Sequence, residues 1–201
     1  MKKNLTILVE GAVIAAVCMA LSLIPIESPN AAFDLSLGLI PLSVYAVRRG
    51  LLPAIAVGLI WGLIHPLFGK AYILSIPQFI LEYPFAFSFG GFFGLYAGKI
   101  RTRLAGRIPA GAAVTKLTGK PQKSPLFWIV LASVTACAAR WIWHFIAGVL
   151  IWSSYAPEGM NPWFYSFLFN GASFLANTVM LIIVMAVLVK TAPRIFDPRN
   201  N

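Results

Sequence analysis

The sequence predicts an all-α membrane protein: one unit over residues 1–201, with six transmembrane helices and both termini in the cytoplasm. Three observations predict it. Hydrophobic residues fill 59% of the 201 positions and charged residues only 11%, against about 25% charged in an ordinary soluble domain. With mean hydropathy at +0.82, such a chain lacks the charge to cover a globule, and lipid is the expected solvent. The apolar residues gather in six stretches, 5–24, 35–47, 51–66, 72–98, 126–152 and 163–190, and the basic residues collect in every second connection.

The first stretch follows Lys2 and Lys3 and so imitates a signal peptide, but 5–24 is too long for an ordinary signal core and long enough to span. The second and third are short for a bilayer core of roughly 30 Å, which asks for about 20 helical residues. The breaks carry turn-forming residues: Pro25, Pro29 and Asn30 after the first stretch, Arg48-Arg49-Gly50 between the second and third, Pro157-Glu158-Gly159 before the sixth.

Charge sets the orientation. One set of connections and ends holds Lys2, Lys3, Arg48, Arg49, Lys99, Arg101, Arg103, Arg107, Lys116, Lys120, Lys123, Lys190, Arg194 and Arg199, fourteen of the sixteen basic residues. The other set holds Lys70 with Glu27, Asp34 and Glu158. The positive-inside rule puts the basic set, with the 99–124 loop, in the cytoplasm. The net charge of +10 is thereby topogenic and lipid-facing, and nucleic acid is excluded as its partner.

Ionisable groups inside spans are costly and ask for a partner or a function. Glu82 lies in the fourth stretch beside Tyr83 and Pro84, where the missing N–H of proline predicts a kinked, locally polar helix. Arg140 and His144 lie in the fifth. Glu82 either pairs with Arg140, tying two helices together, or serves a ligand. His144, Gly148 and Trp152 fall at i, i+4 and i+8, within roughly 80° of one another on a helix. Gly148 then either opens a notch between imidazole and indole or lets another helix approach. In the sixth stretch Asn170, Ser173 and Asn177 form a polar stripe that must face protein or water. Tyr165 and Asn170 stand some 140° apart on a straight helix, so spacing alone does not bring them together. Gly90, Gly94 and Gly98 repeat a small-residue spacing, as do Ala12, Ala16 and Ala20, and both predict close helix contact.

Other chemistries find no support. The sequence has no phosphate-binding glycine loop, no HExxH and no cysteine–histidine cluster, so neither metal nor cofactor is expected, and the chain carries no ATPase of its own. Cys18 and Cys137 sit in apolar runs and read as packing residues.

The spacing of Glu82-Tyr83, His144, Trp152, Tyr165 and Asn170 resembles that of the ThiT family, the thiamin-specific substrate-binding (S) components of energy-coupling factor (ECF) transporters. Length, six stretches and the Ala-xxx-Ala first helix extend the likeness over nearly the whole chain. The resemblance implies a non-enzymatic, multi-pass protein of the bacterial cell membrane that captures thiamin. Its site would comprise Glu82, Tyr83, His144, Gly148, Trp152, Tyr165 and Asn170. Phe33 would stand in for the family's outer-loop aromatic. The resemblance also implies partnership with a transmembrane coupling subunit, docked on Ala12, Ala16 and Ala20, and with two cytoplasmic ATPase subunits. The rival readings are an S component for another vitamin or a thiamin precursor, a small membrane enzyme acting on lipids, and a scaffold in which the polar stripe only joins helices.

Overall fold

The structure, a computed structural model, describes residues 2–24, 26, 34–69, 71–105 and 123–198. Phe33, Glu27, Lys70 and most of the basic loop, 106–122, lie outside the described residues. Within them six helical segments follow the chain: α1 (Lys2–Ser22), α2 (Leu39–Arg49), α3 (Leu51–Ile64), α4 (76–105), α5 (Pro125–Leu150) and α6 (Pro162–Thr191). The starts of α4, α5 and α6 have a common design. Ser75, Ser124 and Asn161 accept the backbone N–H of Gln78, Phe127 and Trp163, and a proline occupies the first turn of each helix.

Four of the described helices are long and apolar enough to cross a bilayer: Asn4–Ser22, Leu51–Phe68, Pro125–Leu150 and Pro162–Thr191. The other two depart from the expected spans. The 35–47 stretch becomes helical only at Leu39, and α2 has 11 residues, about 16 Å of helix. The 72–98 stretch becomes helical at Ile76 and continues to Ala105, so Lys99, Arg101 and Arg103 extend a helix and do not begin a loop.

Inside α4 the helix type changes with the sequence. A π turn, Leu81–Phe85, surrounds Pro84, because a proline within a helix lacks the N–H and crowds the preceding turn. Ser88 Oγ donates to the Pro84 carbonyl at 2.5 Å. Further on, Gly91–Tyr96 winds as a 3-10 helix, in which positions i and i+3 eclipse. Gly91 and Gly94 therefore face α3: a Cβ at either would stand 2.6–2.7 Å from the backbone of Ile55 or Leu51. Gly98 has nothing within 4 Å among the described residues, which corrects the expected Gly90–Gly94–Gly98 face. Gly90 instead meets Leu39 and Leu42 of α2. From the α3 side, Gly58 lies on the backbone of Phe87 and Ser88, and Gly62 on that of Tyr83 and Pro84. The two helices thus touch backbone to backbone.

Gly50, Gly69 and Gly159 take positive φ. Gly50, at φ 92°, joins α2 to α3, and Gly159, at φ 78°, turns the chain before α6; side-chain-bearing residues rarely adopt that conformation. The core gathers around Trp61, Tyr45, Phe93, Ile129, Leu181 and Met185. Helix α1 buries Gly11, Ala15, Cys18 and Met19 and leaves Ala12, Ala16 and Ala20 exposed. Cys18 and Cys137 are buried free thiols, and Cys18 donates to the Gly38 carbonyl at 3.2 Å.

The two ends of the bundle differ. Where α2 and α4 finish, Glu10 of α1 binds both Arg48, at 2.5 Å, and Arg49. Arg48 also donates to the carbonyls of Ile195 and Asp197, and its own carbonyl accepts from Arg101. Where α1, α3 and α5 finish and α2, α4 and α6 begin, the helices part around a cavity.

Candidate functional site

The cavity encloses about 860 Å³, within the span of roughly 300–1,000 Å³ usual for small-molecule sites. All seven residues singled out in the sequence, Glu82, Tyr83, His144, Gly148, Trp152, Tyr165 and Asn170, line it.

Glu82 is carried by the π turn and is held from two sides. Trp152 donates its indole N–H to Oε1 at 2.6 Å, and the Gln78 amide donates to Oε2. Gln78 is fully buried; it also donates to the Tyr72 carbonyl at 2.9 Å and accepts from Leu74 N at 3.1 Å. A carboxylate offers about four acceptor positions, of which these bonds use two. Glu82 makes no ion pair with Arg140; that alternative is corrected, since Arg140 turns to Asp34 at 3.6 Å.

Trp152 differs from expectation in its backbone. Helix α5 ends at Leu150, and Trp152 opens a 3-10 turn, Trp152–Tyr155, so the expected i+8 stripe breaks after Gly148. The turn sets the indole between Tyr72 and Tyr155, with ring centroids at 5.7 and 5.4 Å. The result is an aromatic wall with the Glu82 carboxylate at its edge.

On α5, His144 Nε2 accepts from Arg140 Nε at 3.3 Å. A ring nitrogen that accepts carries no proton, which leaves a neutral imidazole with its other nitrogen as donor. Gly148 is where α6 comes close: a Cβ there would run into Ser166 Oγ and stand 2.9 Å from Asn170 Nδ2. It is thus a helix-approach glycine on the cavity wall. Asn170 donates through Nδ2 to Ser166. Tyr165 packs on Phe169 at 4.3 Å. Tyr83 accepts from Tyr72 N at 2.9 Å, and its ring lies 5.4 Å from His65.

The rest of the α6 polar stripe holds the chain that enters α2. Ser173 accepts from Asp34 N at 3.0 Å. Asn177 accepts from Ser36 N at 2.8 Å and donates to the Asp34 carbonyl at 2.7 Å. Leu35 N adds a bond to Ile26 O. This strap brings Asp34, Leu35 and Ser36 to the cavity lining.

Sequence reasoning did not select Gln78, Tyr72, Tyr155 or Asp34 for the site. Tyr72 and Tyr155 fall outside any helical periodicity, and no local pattern marks Gln78. Among the described residues no group of three histidine, cysteine, aspartate or glutamate side chains is placed to hold a metal ion.

Comparison with known proteins agrees with this architecture. The chain is 38% identical to the thiamine transporter ThiT of Lacticaseibacillus paracasei over 99% of its own length and 94% of that protein. It is 28% identical to ThiT of Bacillus subtilis over 96% and 95%. A solved structure of ThiT from Listeria monocytogenes superposes with TM-score 0.85 at 40% identity, covering 98% of this chain and all of that one. Residues 8–197 match the family described as "Thiamine transporter protein (Thia_YuaJ)". Matched along nearly its whole length, this α-helical chain belongs to the thiamine transporter family and is a transport protein, not an enzyme.

Proposed function

We propose that this chain is the thiamin-capturing S component of an ATP-driven ECF importer, a multi-pass protein of the bacterial plasma membrane. The observation that carries the reading is the Glu82 carboxylate, anchored by Gln78 and Trp152 at the edge of an aromatic wall. Thiamin pairs a permanently cationic thiazolium with an aminopyrimidine. A desolvated cation over an indole gains about 2 kcal/mol or more, which suits Trp152 with Tyr72 and Tyr155 beside it. The two remaining acceptor positions of Glu82 suit the pyrimidine amine. Asn170 Oδ1, the Tyr165 hydroxyl and the second nitrogen of His144 supply further donors and acceptors, while Tyr83 and Gly148 shape the walls.

The chain acts as one six-span unit with both termini cytoplasmic and the cavity opening outward, since the Arg48–Arg49 end carries the basic surplus. Cysteine labelling at Lys116 and Glu158 tests this: 158 is expected to label from outside and 116 only from the cytoplasm. The exposed Ala12–Ala16–Ala20 strip is the docking face for the transmembrane coupling subunit, which in turn engages two cytoplasmic ATPase subunits. Mass spectrometry of ligand retained by the detergent-purified protein is the direct test. Thiamin is the expected mass, whereas another vitamin or a thiamin precursor would keep the transport class and replace the substrate. A retained lipid modified on incubation would favour the membrane-enzyme reading.

A further inference from the structure

We propose that Asp34 makes the cavity selective for a monocation, by neutralising Arg140 and leaving Glu82 as the one uncompensated charge among the described lining residues. The inference rests on the thiamin reading of the cavity and adds to it a charge-selecting residue.

Among the described residues, three side chains that are charged at pH 7 line the cavity: Glu82, Asp34 and Arg140. The two histidines count as neutral, and His144 accepts a hydrogen bond from Arg140 in keeping with that. Arg140 is 7% exposed, and its buried Nη1 has no hydrogen-bond partner among the described residues. Its guanidinium lies 4.6 Å over the Phe87 ring, itself part of the cavity lining. A guanidinium so placed repels an incoming cation and opposes the attraction of Glu82. The Asp34 carboxylate, 3.6 Å from Arg140 Nη2 and half exposed, cancels it. With Asp34 present the described lining carries one net negative charge, matching one positive ligand. Without Asp34 the net charge is zero.

Ser173 and Asn177 hold residues 34 and 36 through backbone N–H and C=O groups, so Asp34→Asn removes the charge and keeps those bonds.

The test compares thiamin with its neutral thiophene isostere, which keeps both rings and lacks the permanent charge, by titration of the detergent-purified full chain. Asp34→Asn is expected to weaken thiamin about tenfold, the effect of one unit charge within roughly 10 Å at intermediate dielectric, and to leave the isostere nearly unchanged. Retained isostere binding also reports that the variant is folded. Arg140→Gln is expected to shift preference the other way, toward thiamin, and the double variant to return close to the unaltered protein. Equal losses for both ligands in Asp34→Asn would overturn the proposal, as would a double variant no better than that single one. Should Asp34→Asn fail to fold, Arg140→Gln decides alone: a raised thiamin-to-isostere preference supports the proposal and an unchanged one refutes it. If the unaltered chain binds neither ligand, the thiamin reading itself falls.

Discussion

Replacing Glu82 by Gln keeps the shape of the side chain and removes its charge. In the free protein Glu82 accepts from Trp152 Nε1 at 2.6 Å and from the Gln78 amide. A glutamine offers one oxygen, so its NH2 must face one of those two donors. One bond is lost and two donors are opposed, a penalty of about 1–3 kcal/mol. Removing a charge from a partly buried site offsets some of that penalty, because desolvation of the carboxylate is no longer required. The net change in stability is therefore small. The change in binding is not: the ligand loses a charge-assisted bond worth about 1.5–3 kcal/mol, or roughly 10- to 150-fold in Kd. Isothermal titration with thiamin, alongside a thermal melt, reads both quantities. The reasoning is refuted if Glu82→Gln binds thiamin within a factor of about two of the unaltered chain. It fails equally if the melt collapses while the folded fraction binds normally, since Glu82 would then be a structural tie.

Other substitutions probe separate links of the argument. Trp152→Phe keeps a ring on the wall but deletes the bond to Glu82, so thiamin should bind more weakly and quench less tryptophan emission; a full quench would move the site elsewhere. Gly148→Ala forces a methyl against Ser166 and should cost about 1–3 kcal/mol of stability, as overpacking does; an unchanged melt would contradict the close approach of α6. Ala16→Trp lies on the exposed face of α1, away from the cavity lining, and should leave thiamin affinity within about 0.5 kcal/mol. In cells with the whole transporter it should abolish uptake and co-purification of the ATPase subunits, and normal uptake would sink the docking assignment.

What the sequence revealed depended on how local the cause was. Pro84 announces a disturbed helix from its own chemistry, and a π turn stands there. The seven cavity residues were picked out by their spacing, which matched a known pattern over a long separation. The 3-10 segment was not foreseeable from a 3.6-residue period: a change to three residues per turn replaces the 90–94–98 face with 91–94. The Gly58–Gly62 contact was passed over because small residues on one helix gain meaning only when the partner backbone is known. The pairing of Arg140 with Asp34 in place of Glu82 is tertiary in origin. It follows from the strap, and one chain segment crossing to α6 over more than a hundred residues leaves no local signature. The end of α5 at Leu150 likewise turned a helical stripe into a turn-borne indole.

The fastening of residues 34–36 to α6 has a consequence for redesign. Ser173 and Asn177 grip only peptide groups, and every amino acid except proline presents the same N–H and C=O. These peptide bonds to α6 are thus indifferent to which side chains ride on the segment, while the Asp34 carboxylate adds its ion pair to Arg140. Libraries at positions 34 to 36 that exclude proline can vary the charge and size presented at the cavity rim while keeping the peptide-group bonds to α6. An importer for a neutral or doubly charged nutrient could then be sought on the same scaffold by altering three adjacent positions.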